Sequence, residues 1–226
     1  MGASAEERRE ELVALYKEVQ VCEKCPLHET RTKAVFGAGD ADADLMFVGE
    51  APGAEEDRQG LPFVGRAGQL LNQMLEEIGM SREDVFIANV LKSRPPGNRD
   101  PQPLEIETCR PYLFEQIRLI EPKVVCTLGN FATKLLSGNP AGITRVHGEP
   151  QVHELGGRAV FLLPIFHPAA ALRTPAVKEK LRGDFATLPK LLAAEPPGTT
   201  EPVEEPLEEA PEPPPQPSAD QLDMFG

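Results

Sequence analysis

Four cysteines are the first residues in this chain whose types and spacing suggest chemistry. Cys22 and Cys25 form a Cys-x-x-Cys pair closed by Pro26, and Cys109 and Cys126 follow far downstream. In a cytoplasmic protein such a set points to metal rather than to disulfides. Zinc and an iron–sulfur cluster both accept four thiolates, so the spacing leaves the metal open. For Cys126, inside the apolar run Val124-Val125-Cys126, an inert place in the core competes with a ligand role.

Further positions suggest a pocket. The loop Gly49-Glu50-Ala51-Pro52-Gly53 follows the apolar run Leu45-Met46-Phe47-Val48. Its glycines permit close approach of backbone to a ligand, with the Glu50 carboxylate in the same space, although a plain strand-ending turn has the same composition. Phe63 follows Gly60-Leu61-Pro62, and an aromatic in a loop either stacks on a base or packs into the core. Asn89 lies in Ile87-Ala88-Asn89-Val90, where a buried amide needs hydrogen-bond partners from a ligand or from the protein. His167 heads the run His167-Pro168-Ala169-Ala170-Ala171-Leu172-Arg173, whose small residues suit a loop passing close to something large, with Leu172 as a wedge between bases.

The elements that must position these residues follow from apolar periodicity. Leu12, Leu15, Tyr16 and Val19 predict a helix ahead of Cys22, and a second helix from about Ala67 carries Leu70, Leu71, Met74, Leu75 and Ile78 on one face. Strands are predicted at 45–48, 85–90 and 123–128, near 150–152 and at 159–163. A helix containing Ile106, Leu113, Ile117 and Ile120 lies between the second and third strands, and a last helix is predicted from about Ala176 to Leu192. Strand–helix–strand alternation predicts an α/β fold with a parallel sheet, whose functional loops gather beyond the carboxyl ends of the strands. Glu50, Asn89 and His167 all stand at such ends.

Length and charge bound the rest. A chain of 226 residues with 40% hydrophobic content supports one core, so one domain is expected over 1–194, with a tail over 195–226. No apolar run is long enough for a bilayer, and the N-terminus carries Glu6-Glu7-Arg8-Arg9-Glu10, so a soluble, monomeric, cytoplasmic protein is expected. The net charge is −13, of which residues 195–226 carry −9, so the body carries only −4. Such a body can concentrate local positive charge, for which Lys92, Arg94, Arg99, Arg173, Lys178, Lys180 and Arg182 are candidates. The Pro/Glu-rich tail is expected to be disordered, yet Gln221-Leu222-Asp223-Met224-Phe225 brings three apolar side chains back at its end.

Taken in order, Cys22-x-x-Cys25-Pro26, Gly49-Glu50-Ala51-Pro52-Gly53, Gly60-Leu61-Pro62-Phe63-Val64-Gly65, Arg94-Pro95-Pro96-Gly97-Asn98-Arg99 and His167-Pro168-Ala169 closely resemble the family 4 uracil-DNA glycosylases. The resemblance covers roughly the first 190 residues. It implies a three-layer α/β/α sandwich with a mainly parallel sheet, a 4Fe-4S cluster, and excision of uracil flipped out of DNA. It implies Phe63 as the platform under the base, Asn89 as the reader of its polar edge, and His167 as the donor to O2 as the uracil anion departs. Gly49 and Ala51 would frame the site with backbone groups, Glu56 would stand beside the base against the thymine methyl, and Glu50 would act on the attacking water or as an electrostatic stabiliser.

One departure stands out. The family pattern has a cluster cysteine immediately before the Arg-Pro-Pro-Gly-Asn block, and this chain has Ser93 there. Cys126 is the expected fourth ligand beside Cys22, Cys25 and Cys109, with Ser93 ligation through oxygen or an incomplete cluster as the alternatives. Gln221, Leu222 and Phe225 resemble the peptide by which bacterial repair proteins bind the sliding clamp. A uracil-DNA-capturing protein without turnover is the competing reading. Its relatives carry a basic, histidine-containing insertion, and residues 94–103 here contain no His, which favours an enzyme. A zinc-bound interaction module is the third.

Overall fold

The alternating apolar runs assemble into one six-stranded sheet in a computed structural model that describes residues 3–197. From residue 198 on the expected tail, its terminal peptide included, lies outside the described residues. The strands are β1 (Ala38–Gly39), β2 (Leu45–Gly49), β3 (Phe86–Asn89), β4 (Val124–Leu128), β5 (Gln151–Leu155) and β6 (Arg158–Ile165), in the order β1-β3-β2-β4-β6-β5. β3, β2, β4 and β6 run parallel, and β1 and β5 pair antiparallel at the two edges. β2 and β4 are buried along their whole length because both of their faces are covered by helices, as parallel strands require.

Period-two alternation sends side chains into two separate cores. Met46, Val48, Ala88 and Val125 face α1 (Ala5–Gln20), α4 (Pro103–Ile120) and α5 (Asn130–Ser137). Leu45, Phe47, Ile87, Val124 and Leu163 face α3 (Arg66–Glu77) and α8 (Pro175–Phe185), where Phe47 and Phe185 stack at 5.6 Å. Helices on both faces of a mainly parallel sheet make the three-layer α/β/α sandwich. Short helices complete it: α2 (Ala54–Gln59), α6 (Ile143–Val146), α7 (Pro168–Ala171) and α9 (Leu188–Leu192).

The expected fourth ligand fails here. Cys126 shares the core of Phe47, Leu163 and Phe185, whereas Cys25 and Cys109 sit in the core on the other side of the sheet. The parity of β4 decides it: Cys126 points the same way as Val124 and Leu128, whereas Val125 and Thr127 point to the side of the other cysteines. Complete burial pushes its thiol pKa well up, so Cys126 is a neutral packing residue.

The expected final helix from Ala176 to Leu192 is two helices. α8 stops at Phe185 and α9 restarts at Leu188, with Pro189 in its first turn. Proline has no N–H to donate to the preceding turn and is favoured in the first turn of a helix, so Pro189 suits a fresh start at α9. Periodicity alone passes over that break.

Candidate active site

The carboxyl ends of β2, β3 and β6 bring Glu50, Asn89 and His167 to one cavity of about 350 Å³. Ala51, Glu56 and Phe63 line it as well, and Pro95, Asn98 and Arg99 contribute from the loop after β3. Gly49 lies behind the wall: a Cβ there would come within 2.3 Å of Asn89 Oδ1 and 2.8 Å of the Phe63 ring. The glycine is needed for close approach of these two side chains rather than for an unusual φ. Leu172, placed at the end of α7, is 40% exposed and does not line the cavity.

Each polar group has a distinct electrostatic state. Asn89 is 1% exposed, and its Oδ1 is buried with no hydrogen-bond partner among the described residues. An unmet buried carbonyl costs about 1–3 kcal/mol, and a ligand donor can recover it. His167 caps α7, and its Nδ1 accepts the Ala169 N–H at 3.1 Å. Burial lowers its pKa to about 4, against an opposing pull from Glu56, so the ring is neutral at physiological pH. With Nδ1 occupied as an acceptor, the proton resides on Nε2, which is left as a donor. Burial, and then the charge of Asp100, raise the Glu50 carboxyl above the usual range.

Phe63 has a positive φ of 50°, in the left-handed region that a bulky residue seldom enters, and is 6% exposed. Its ring lies 5.6 Å from the His167 ring at 32°. Glu56 Oε1 accepts the N–H groups of both Val64 and Gly65 at 3.0 Å. Glu56 therefore lines the cavity while bracing the loop that presents Phe63, a function absent from the sequence reading.

A family profile described as the uracil DNA glycosylase superfamily matches residues 36–186, a span that holds every cavity-lining residue named above. The chain belongs to this superfamily. The Type-4 uracil-DNA glycosylase of Archaeoglobus fulgidus is 44% identical over 192 residues, covering 83% of this chain and 96% of that protein. That of Sulfurisphaera tokodaii is 46% identical over 185 residues, covering 80% and 84%. That of Thermotoga maritima is 48% identical over 167 residues, covering 73% and 85%. Within the uracil DNA glycosylase superfamily the chain thus groups with the type-4 members.

Several positions in this superfamily member were misread or passed over in the sequence. Lys92, a candidate for local positive charge, is 2% exposed. Its Nζ donates to the Asn89 carbonyl at 2.8 Å and to Gln116 Oε1 at 2.5 Å, tying the end of β3 to α4, and burial lowers its pKa to about 7. The signal was present, since Lys92 directly follows Val90-Leu91 in an apolar run. Lys178 and Arg182 are engaged with Gln73 and Glu77 of α3. Arg99 lines the cavity and holds the buried Glu105 through both guanidinium nitrogens, at 2.9 and 2.5 Å.

Cys22, Cys25 and Cys109 gather on the opposite side of the sheet from Cys126, where the end of α1 meets α4. Burial raises the Cys25 and Cys109 thiols, and the charges of the neighbouring cysteines raise them further. The Lys92 N–H donates to Cys109 Sγ at 3.5 Å, Tyr112 Oη donates to Cys22 Sγ at 3.4 Å, and Arg31 donates to the buried Ser93 Oγ at 3.2 Å. Among the described residues no group of three or more His, Cys, Asp or Glu is arranged around a single metal ion. Three cysteine thiols on one side of the sheet are ligand chemistry that zinc and an iron–sulfur group both accept.

Proposed function

We propose that this chain removes uracil from DNA by hydrolysing the bond between uracil N1 and the sugar C1′, leaving an abasic site. The observation that carries the reading is the orphaned Asn89 Oδ1 at the cavity wall. Uracil presents a donor at N3 beside an acceptor at O4, so Asn89 Oδ1 accepts a hydrogen bond from the N3–H and its amide NH2 donates to O4. Cytosine reverses both positions and leaves the amide unmatched. Phe63 supplies a stacking face, and Leu172 fills the gap left in the duplex by the extruded nucleotide. Arg94 and Arg173 are suited to the flanking phosphates.

As the C1′–N1 bond breaks, its electron pair leaves on the uracil ring and spreads to O2, where the His167 Nε2–H donates to it. A neutral donor suits this step because the anion is stabilised without a proton being lost from an imidazolium. Water bonds to C1′, and Glu50, its basicity raised by burial, orients that water and receives its proton. Uracil-containing single-stranded and duplex oligonucleotides, treated with alkali after incubation, test this. Strand scission at uracil with free uracil in molar excess over protein is expected, whereas a stable complex without release would mean capture.

We further propose a 4Fe-4S cluster on Cys22, Cys25 and Cys109, with Ser93 Oγ as fourth ligand under the charge of Arg31. Such a group, when bound, fastens the end of α1 to α4 and adds no step to the excision chemistry. Iron and sulfide content of anaerobically purified protein should be unchanged in Cys126→Ser and lost in Cys109→Ser. Loss in Cys126→Ser would reject this ligand set.

We also propose a monomeric, cytoplasmic protein whose Gln221, Leu222 and Phe225 dock on the sliding clamp and raise the local concentration of enzyme at DNA. Deleting residues 221–226 should abolish retention by immobilised clamp. Retention at the wild-type level would exclude the peptide.

A further inference from the structure

The left-handed backbone of Phe63 has to be held in place, and the residue that grips it belongs to no cavity wall. Arg82 stands at the start of a short 3-10 turn, Arg82–Asp84, fixed by a reciprocal Ser81–Asp84 cap in which Asp84 Oδ2 accepts the Ser81 N–H at 2.7 Å. From there its guanidinium donates to two successive carbonyls of the Phe63 loop. Nη1 reaches the Phe63 oxygen at 2.9 Å, and Nη2 reaches the Pro62 oxygen. The planar fork of arginine spans two oxygens at once, which the point charge of lysine does not. Arg82 makes no side-chain ion pair among the described residues, so its donors are spent on backbone.

Two other contacts close the grip from different directions. Glu56 Oε1 takes the N–H groups of Val64 and Gly65 on the far side of Phe63. Gly68 in α3 lies against the Phe63 carbonyl so tightly that a Cβ there would come within 1.7 Å of the oxygen. A strained φ persists only when its surroundings over-determine it, and here the carbonyls before and at Phe63 and the amides after it are all claimed. We propose that Arg82 is a positioning residue for uracil selection, holding the two carbonyls so that the Phe63 ring stays at the stacking plane in the absence of a base. This rests on the reading of Phe63 as the uracil platform.

A double-mutant cycle tests it, because a residue that acts through Phe63 has nothing left to position once the ring is gone. Arg82→Met keeps the aliphatic stem and removes the fork. It should lower kcat/KM on uracil-containing single-stranded DNA by roughly 10- to 100-fold and weaken inhibition by free uracil in parallel. In the Phe63→Ala background the same change should cost less than about twofold. Arg82→Lys, which keeps the charge and one donor direction, should fall between wild type and Arg82→Met, and it carries the cycle if Arg82→Met fails to fold by circular dichroism. Equal losses in the wild-type and Phe63→Ala backgrounds, or an unchanged uracil inhibition constant, would overturn the role of Arg82. Wild-type excision by Phe63→Ala would instead overturn the platform itself, and the inference with it.

Discussion

Replacing Asn89 by alanine should lower kcat/KM on uracil-containing DNA by roughly 10³-fold while leaving the protein at least as stable as wild type. The two halves of this expectation share one cause. Asn89 Oδ1 is buried without a partner, so the folded protein carries its desolvation cost until a base supplies the N3 proton. Alanine removes the carbonyl and with it the cost, offset by a small cavity beside Gly49 and Phe63. Steady-state excision assays and thermal unfolding of the same preparation measure both. A large fall in melting temperature would mean that Asn89 is a structural amide and would remove the main support for its reading of uracil.

His167→Ala should reduce kcat by roughly 10²- to 10³-fold, the loss expected when one preorganised donor to a developing oxyanion is removed. Its pH dependence separates this donor from an acid. Since burial holds the imidazole pKa near 4, the wild-type rate should show no ionisation of this histidine around pH 6.5. The imidazole limb is instead expected near pH 4, and the Glu50 carboxyl, raised by burial, adds an acid-side limb of its own above the usual carboxylate range. Stability follows with a definite sign. As pH falls below 6.5 the unfolded chain takes up a proton that the folded chain refuses until about pH 4. The unfolded state then binds more protons, so His167 erodes stability across that window, by about 3 kcal/mol in all. Unfolding measured at pH 7 and pH 4.5 should therefore show a smaller difference in His167→Ala than in wild type. An equal difference would place the imidazole in water.

The comparison of sequence with structure turns on what kind of interaction each residue makes. Glu50, Asn89 and His167 were legible because strand ends are local features, and in a parallel sheet all such ends lie along one edge. The bracing of Phe63 was not legible. Arg82, Glu56 and Gly68 reach it from three separate elements, and no spacing in the chain announces a contact that forms only after α2 and α3 have packed. Lys92 was visible as a charge in an apolar run, but its inward direction depends on Gln116 in α4 waiting to receive it.

Cys126 marks the boundary most sharply. Local residue types and their order sufficed for the α/β class, the strand ends that meet at the cavity and the family to which the chain belongs, because periodicity and short motifs are properties of neighbouring residues. Which cysteines keep company was decided by the assembled sheet. One residue of parity in β4 sends Cys126 to the core of Phe47 and Phe185 and leaves the other three cysteines on the far side of the sheet. A strand's two faces are equivalent until helices cover them, so that choice exists only in the tertiary structure.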